Sequence, residues 1–599
     1  MDTYKKDIGE LVRKMENDYT SGTTKLSKYV DYSMYETIEK IEAYAHSKHT
    51  SGDTDSMGRE KPFFNIGTGA ENIWYRATDI DRRNIRIKAS KESDVLKSYL
   101  GTAKLQDWMK RENFGSFLNQ WGRSLARYGS TVLKFVEVEG KLHPMVMSWQ
   151  KMIVDPIDFD ANPKIEKIEL TPAQLRKRKG YDKEMVKSLL DAVATRTTLE
   201  RQQKDNKSGY ITLYEVHGEL PLSYITGKEE DGDEFVQQMH VVSFVASGKK
   251  DSEGNAEYND FCLFKGRESK DPYMITHLIK EDGQTLAVGA IQSLFEAQWM
   301  QNHSVKAVKD HLDLASKLIF QTSDGNFVGQ NALAAIENGD ILVHAINQPL
   351  TQINNSSHDV SAFQSFQNQW KVLAQEITST PDAISGNNFP SGTAYRQVAL
   401  LNQEAHSLFE IMTENKGIHI EEMMRLFVLP FIKRTELNTK DEILATLDQY
   451  GIKEIDANYI KVEVEKQAKR GIIDALVAGK VPSVDIASMK EDVAAQMREL
   501  GGKRSFKPSE IESKTWAEYF KDFEWDVEVE VTNENTDKEV VLTTLSTVLQ
   551  TIATNPLVLQ DPNARLLFNK ILEEAGRVSP VELAQVEQTP QLPVPQLKT

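Results

Sequence analysis

An α+β fold spread over several domains is what this chain predicts, and three observations carry the prediction. Its 599 residues exceed what one hydrophobic core organises. Apolar residues recur at steps of three and four through long stretches near the N-terminus and in the middle, as amphipathic helices require. Between those stretches stand shorter alternating or β-branched runs bounded by Gly and Asp, as strands require.

Composition narrows the class. The chain is 40% hydrophobic and 27% charged with a mean hydropathy of -0.48, the profile of an ordinary globular protein. No apolar run approaches the ~20 residues of a membrane-spanning helix. The first residues, MDTYKKDIGELVRKM, lack the apolar core of a secretory signal, so export is not expected. Cys262 is the only cysteine, which excludes internal disulfides and Cys-based zinc sites and fits a reducing compartment such as the cytoplasm. The net charge of -17 sets 72 basic against 89 acidic side chains, so no overall basic balance exists for gripping phosphates. Two readings fit that charge: plain solubility, and a surface over which DNA slides without sticking.

In chain order, Ile8, Leu11, Val12 and Met15 share one helical face, and Leu26, Val30, Met34, Ile38 and Ile41 another. HSKHTSGDTDSMGREKP follows as a polar loop. From Val95 to Tyr128, Leu96, Tyr99, Leu100, Trp108, Phe114, Leu118, Trp121 and Leu125 keep helical spacing, with a break at Asn113-Phe114-Gly115. A hairpin comes next: Ser130–Val138, the turn Glu139-Gly140, and Leu142–Trp149, ending at Asp155-Pro156. Leu175–Arg201 is helical, and its basic start, RKRKGYDKEMVK, reads as a solvated face because acids interleave and no aromatic platform accompanies it. Strands are expected at Tyr210–His217, His240–Ala246 and Asn259–Phe264.

From Gln284 the helical period returns through Ile291, Leu294, Phe295, Trp299, Val305, Val308, Leu312 and Leu318. A β-favouring, glycine-punctuated insert follows, with runs at Lys317–Gln321 and Ile341–Ala345. A second helix carries Val360, Phe363, Phe366, Trp370, Leu373 and Ile377 on a narrow stripe, and Thr380-Pro381 stops it. Beyond a loop, Tyr395 to about Leu429 is helical, with a kink expected at Gly417 and a stop at Pro430. Helix is expected at Thr439–Tyr450, strand at Tyr459–Val464, helix at Gly471–Leu500 and an acidic strand at Trp525–Thr532. Helices at Lys538–Ala553 and Asn563–Gly576 lead to an extended tail, QTPQLPVPQLKT.

Motifs for catalysis and cofactors fail on their own chemistry. Gly227-Lys228 continues into Glu229 and Glu230, so the hydroxyl that a Walker A loop gives to magnesium is missing. Asp251–Cys262 alternates acids and amides like a calcium loop, but Ala256 stands where Gly is required and Cys262 where the bidentate Glu belongs. A hairpin turn fits better there, as a turn does for Asp231–Glu234. His46 and His49 lie in a polar loop without HExxH or nearby Cys, and Cys262 sits in an apparent strand as a small packed residue. No GxSxG elbow occurs. The expectation is a protein with no catalytic residue, no cofactor and no metal.

One loop stands apart. Pro381–Gly392, between two strong helices, is rich in Gly, Asn, Ser and Pro, with Ile384 and Phe389 as its apolar exceptions and no Lys or Arg before Tyr395. Taken alone it is a helix–helix connection. The order around it resembles the core of bacteriophage portal proteins, the head-to-tail connectors of tailed double-stranded DNA phages. Thr380-Pro381-Asp382 and Ser391-Gly392-Thr393-Ala394 match that family in order and chemistry, as do Tyr128-Gly129, the strand Thr131–Val138 and Asp155-Pro156 upstream. The likeness is strongest from Gln284 to Phe431 and weak at both ends; the segment Gln321–Gly339 departs from the pattern, which leaves the clip's topology open.

The resemblance implies an α+β, portal-like multidomain fold with a wing, a two-helix stem, a small clip and a helical C-terminal crown. Residues 1–283 would form the N-terminal part of the wing, 284–319 the first stem helix, 320–358 the clip and 359–380 the second stem helix. The tunnel loop would be 381–392, the long kinked helix and remaining wing 393–536, the crown 537–580 and the extended tail 581–599. Ile384, Ser385, Gly386, Asn387, Asn388 and Phe389 would face DNA in the channel. Phe363, Phe366, Trp370, Leu373, Ile377, Ile291, Phe295 and Trp299 would pack the stem. The implied partners are copies of itself in a ring of about twelve, double-stranded DNA held without sequence preference, terminase, the major capsid and scaffold proteins, and neck or tail adaptors. The implied place is the portal vertex of the virion, after assembly in the host cytoplasm. The rival readings are another ring-forming connector or tail component, and an enzyme of nucleic-acid metabolism built on an acidic metal cluster.

Overall fold

In a computed structural model of the chain, the described residues run from 8 to 529, leaving aside 57, 89–90, 92–93, 201–208, 251–255, 316–319, 322, 324, 326–344, 349–350, 353–360, 381–394, 439–442, 447–459, 461–462, 474–476, 478–484, 500–502 and 507–514. They form a mixed architecture of helix and sheet, an α+β protein. Two compact units divide the chain. One holds the described residues within Met1–Asp79, Asn119–Val136 and Pro144–Lys416, the other those within Ile80–Leu118, Glu137–His143 and Gly417–Thr599. The expected tunnel-loop residues Ile384–Phe389, most of the expected clip, the expected crown helices and the expected tail lie outside the described residues.

The first unit begins with α1 (Ile8–Ser21), the hairpin β1 (Thr24–Ser27) and β2 (Val30–Tyr32), and α2 (Met34–Ala45). The helical stripe expected through Leu26 and Val30 is therefore wrong in its first half. Ser33 fixes the start of α2, its Oγ accepting from the Glu36 N–H, so residues before it are free to pair as strands. Helix α3 (Gly67–Ala77) follows.

A five-stranded antiparallel sheet is the main framework of this unit. Its order is β10 (Ala256–Arg267), β9 (Phe235–Lys250), β8 (Ile211–Pro221), β7 (Lys164–Leu170), β6 (Met152–Ile153). Strand alternation divides it. Ile211 and Leu213 join Val241, Val245 and Leu263 under α6 (Pro172–Lys177) and α7 (Lys183–Glu200), while Tyr214, Val216, Leu220 and Val242 turn to the other face, under Ile8 and Val12. The single helix expected over Leu175–Arg201 is two; Thr171 opens the first with a capping box to Gln174. Strands β9 and β10 exceed their expected bounds at both ends and β8 at its C-terminal end, because pairing extends beyond the apolar run, as far as Pro221 opposite Phe235.

A three-stranded sheet, β11 (Tyr273–His277), β4 (Ser130–Val138) and β5 (Lys141–Val146), completes the strands around the core. The β4–β5 turn is the expected Glu139-Gly140, both at positive φ (53° and 77°), the signature of the tight turn that matches strand twist. Tyr128, Val132, Trp149 and Tyr273 pack with Ile38 and Ile41 of α2 and with Ile291. The helix expected from Gln284 starts instead at Ala290, as the short α9 (Ala290–Ser293) before α10 (Phe295–Ala315). The preceding residues are held in a connection: Thr285 N–H and Oγ1 donate to the carbonyls of Pro156 and Asp155, 2.9 and 2.6 Å away. Strands β12 (Phe320–Gln321) and β13 (Thr351–Gln352) pair at the far end of α10 and before α11 (Ser361–Ile377).

In the second unit, β3 (Ile85–Lys88) pairs with β16 (Asp526–Val529) and β14 (Ile443–Thr446) with β15 (Lys503–Phe506). Helix α4 (Val95–Arg111) breaks from α5 (Phe114–Tyr128) where Asn113 takes φ 53°. The helix expected over Thr439–Tyr450 is a strand at 443–446, because a partner sixty residues on decides what local spacing left ambiguous. The strand expected at Tyr459–Val464 gives way to helix at 463–473, with Val464 buried and Glu463 paired with Lys466 one turn on.

The long helix α12 (Tyr395–Met423) runs unbroken through Gly417, and the chain stays helical past Pro430 to Glu436. The irregularity lies in two π turns, Met424–Val428 and Ile432–Glu436, on either side of Pro430. Widened bonding, such as Leu437 N–H to the Ile432 carbonyl at 3.1 Å, accommodates a residue that donates no hydrogen bond. The stop expected at Pro430 is therefore replaced by a π-bulged continuation.

Candidate subunit-packing surface

Helices α10 and α11 form an antiparallel hairpin in the first unit. The Gln301 amide donates to the Gln367 carbonyl at 2.7 Å, and His311 meets the Phe363 ring at 5.4 Å. Its base is fixed by polar groups as much as by packing. Gln298 accepts from Ile66 N–H and donates to the Phe64 carbonyl and to Asn302, at 2.9, 2.6 and 3.1 Å. Trp74 Nε1 donates to the Thr378 carbonyl at 3.0 Å, tying the end of α11 to α3.

The expected stem residues divide between inside and outside. Ile291 is buried in the core, and Phe295 lies edge-on to Tyr44 with Lys40 Nζ 4.2 Å above its ring. Phe363 and Trp370 are half-buried. Trp299 (55% exposed), Phe366, Leu373 and Ile377 remain open, and Leu312 and Val372 join them. Trp299 stacks on His303, the rings 5.7 Å apart and 11° from parallel. A hairpin that leaves this much large apolar surface in one chain is chemically suited to packing against another protein surface, at about 1.5–3 kcal/mol for each side chain fully covered.

The segment expected to face DNA follows Thr378, Ser379 and Thr380 in the chain. Thr378 and Thr380 are buried with their hydroxyls 2.7 Å apart, and Ser379 between them holds φ 52°. Ile384, Ser385, Gly386, Asn387, Asn388 and Phe389 themselves lie outside the described residues. Further along α12, Phe409, Met412 and Lys416 are buried. Lys416 donates to the Thr78 carbonyl at 2.9 Å and stands 5.2 Å from the Trp121 ring; burial pushes its ammonium down to about 8, against the nearby charge of Asp79.

Sequence reasoning missed a buried ionic centre between the two sheets of this unit. Glu166 on β7 and Glu215 on β8 are register partners, and Lys134 of β4 reaches both, at 2.5 and 2.6 Å. His217 donates through Nε2 to Glu215 and through Nδ1 to Glu268, both at 2.8 Å. Burial acts to raise the Glu215 carboxyl, but the His217 hydrogen bond and the Lys134 charge overcome it and hold it down to about 2. His217 is raised in turn, its two carboxylates outweighing the burial that would lower it. Such a group of mutually paired charges holds sheets in register. The one signal in the sequence was Lys134 itself, a charge inside the apolar strand TVLKFV.

Other candidate ligands are engaged in ordinary structure. His46 and His49 contact the carbonyls of Glu42 and Pro62, at 2.9 and 3.2 Å, and Cys262 donates to the Phe264 carbonyl at 3.4 Å. Among the described residues no group of three His, Cys, Asp or Glu is arranged to hold a metal ion, and no helix is long and apolar enough to cross a membrane. A depression of about 330 Å³ opens between α6 and α7, walled by Arg176, Arg178, Lys183 and Lys187. No protein-family model matches the chain, and no curated protein matches it.

Proposed function

We propose that this chain is the portal protein of a tailed double-stranded DNA phage, a ring at one capsid vertex through which a terminase packages the genome and through which it later leaves. The observation that carries the reading is the α10–α11 hairpin. Its base is fixed within the chain while Trp299, Leu312, Phe366, Val372, Leu373 and Ile377 stay exposed along its length. In a ring, each hairpin covers that surface with its neighbours, so lateral burial is shared rather than completed in one chain. The order of the described elements supports the same reading: helix α10, the short paired strands β12 and β13, helix α11, then the long α12. The loop 381–392 lines the channel, and its lack of Lys and Arg suits DNA that slides. Terminase supplies the ATP chemistry, capsid and scaffold proteins hold the ring in the shell, and adaptors join it to the neck and tail.

Electron microscopy of the purified protein, classified for rotational symmetry in end views, tests this directly. The expected result is a closed ring of about twelve copies around an open channel. A compact dimer or tetramer without a channel overturns it and puts a nucleic-acid enzyme first.

A further inference from the structure

The five-stranded sheet of the first unit carries opposite charge at two separate places. Helices α6 and α7 leave it where Leu170 pairs with Ile211, and they cover one face. The connection from β8 to β9, residues 222–234, leaves it where Pro221 pairs with Phe235, and its Tyr224 packs on the opposite face. The eleven residues of β8 span about 33 Å between those ends.

Each place is incomplete in a complementary way. The depression between α6 and α7 has cationic walls, Arg176, Arg178, Lys183 and Lys187, and Asp191 as its one acid. Tyr181 and Leu190 add apolar surface inside it. Among the described residues no ion pair engages those four cations, in a chain whose net charge is -17. The β8–β9 connection presents Glu230, Asp233 and Glu234 to solvent, followed at once by Phe235, 60% exposed. An aromatic ring flanked by carboxylates fits a pocket with an apolar floor and basic walls.

We infer that the acidic connection of one copy docks in the basic depression of the next, with Phe235 as the inserted anchor. The contact joins two different surfaces of the same chain, so it is heterologous, and repetition around a closing rotation generates a ring. It deepens the ring reading above and rests on it. It also assigns the basic α6–α7 face to protein rather than to nucleic acid: an aromatic-acidic plug of this chain matches both features of the depression, whereas a phosphate backbone uses only the charge.

Charge reversal in the full chain tests the contact. The pocket variant is Arg176→Glu with Arg178→Glu, and the plug variant is Asp233→Lys with Glu234→Lys; all four side chains are exposed, and circular dichroism checks each fold. By sedimentation velocity, each variant alone is expected to need at least about tenfold more protein to assemble, and the assembly to weaken with salt. A chain carrying both reversals is expected to regain assembly. An equimolar mixture of the two variants offers one native and one reversed junction, both complementary, so it is expected to regain assembly with the two variants alternating, whereas each alone does not. Folded variants that form rings at the wild-type concentration overturn this contact and leave the ring reading standing. A wild type that stays monomeric at every concentration overturns the ring reading and the contact with it.

Discussion

Glu166 and Glu215 face each other across β7 and β8, and Lys134 Nζ lies 2.5 Å from one and 2.6 Å from the other. Two carboxylates in register repel, so the pairing of these strands depends on a cation delivered from the neighbouring sheet. Lys134→Met is expected to cost about 3–5 kcal/mol in chemical denaturation, because it leaves two facing, largely buried carboxylates without the cation between them. Adding Glu166→Gln and Glu215→Gln to that variant is expected to recover most of the loss. Equal instability with and without the added changes would assign the effect to packing.

His217 bonds carboxylates through both ring nitrogens, which requires the imidazolium. Its folded pKa is raised, so its contribution is complete below the unfolded value of about 6.5 and is lost as pH climbs through the folded value. The stability advantage of wild type over His217→Gln is expected to be largest near pH 6 and to shrink on the alkaline side. A difference that stays flat from neutral to alkaline pH rules this out.

Lys416 has the opposite sign. Its ammonium is pushed down to about 8 by burial, so between pH 8 and its unfolded value of about 10.4 the unfolded chain binds more protons. Stability gained from this group therefore rises across that window, by on the order of 3 kcal/mol at most. Comparison of wild type with Lys416→Met by denaturant titration at several pH values isolates the term. The expected result is a variant that is relatively more stable at pH 7 than at pH 10.

Gly129 adopts φ 76°, and a Cβ there would stand 2.6 Å from the Val288 carbonyl carbon. Gly129→Ala is expected to destabilise by at least about 2 kcal/mol, since both the conformation and the space exclude a methyl group. Thermal unfolding of the pure variant reads it.

Trp299 and Phe366 on the hairpin are exposed in a single chain, and the ring reading gives them neighbours. Trp299→Ser with Phe366→Ser is expected to change monomer stability by no more than about 0.5 kcal/mol while depleting rings in electron micrographs. Undiminished rings would place the hairpin outside the lateral contacts.

Local chemistry was legible where one residue decides the backbone. Asn113 ends α4, Glu139-Gly140 turns the hairpin, and Thr380 closes α11 before Pro381, each for reasons contained in the few residues around it. Leu26 and Val30 were misread because their spacing continues that of Met34, Ile38 and Ile41, while the Ser33 cap separates them. Of the expected stem residues, the sequence marks Ile291 and Trp299 as equals on one stripe, yet one is 1% exposed and the other 55%.

By itself the sequence determined most of the helices and strands of the first unit, the turn residues that punctuate them, and the succession of two helices and a longer third in the middle of the chain. These depend on period and on glycine, proline and capping chemistry, which act over a few residues. Only the tertiary structure decided that residues 443–446 pair with 503–506, that the chain stays helical past Pro430, and that Lys134 meets Glu166, Glu215 and so His217 between two sheets. Those outcomes depend on partners distant along the chain, and the strength of an electrostatic contact depends on a burial that no local spacing records.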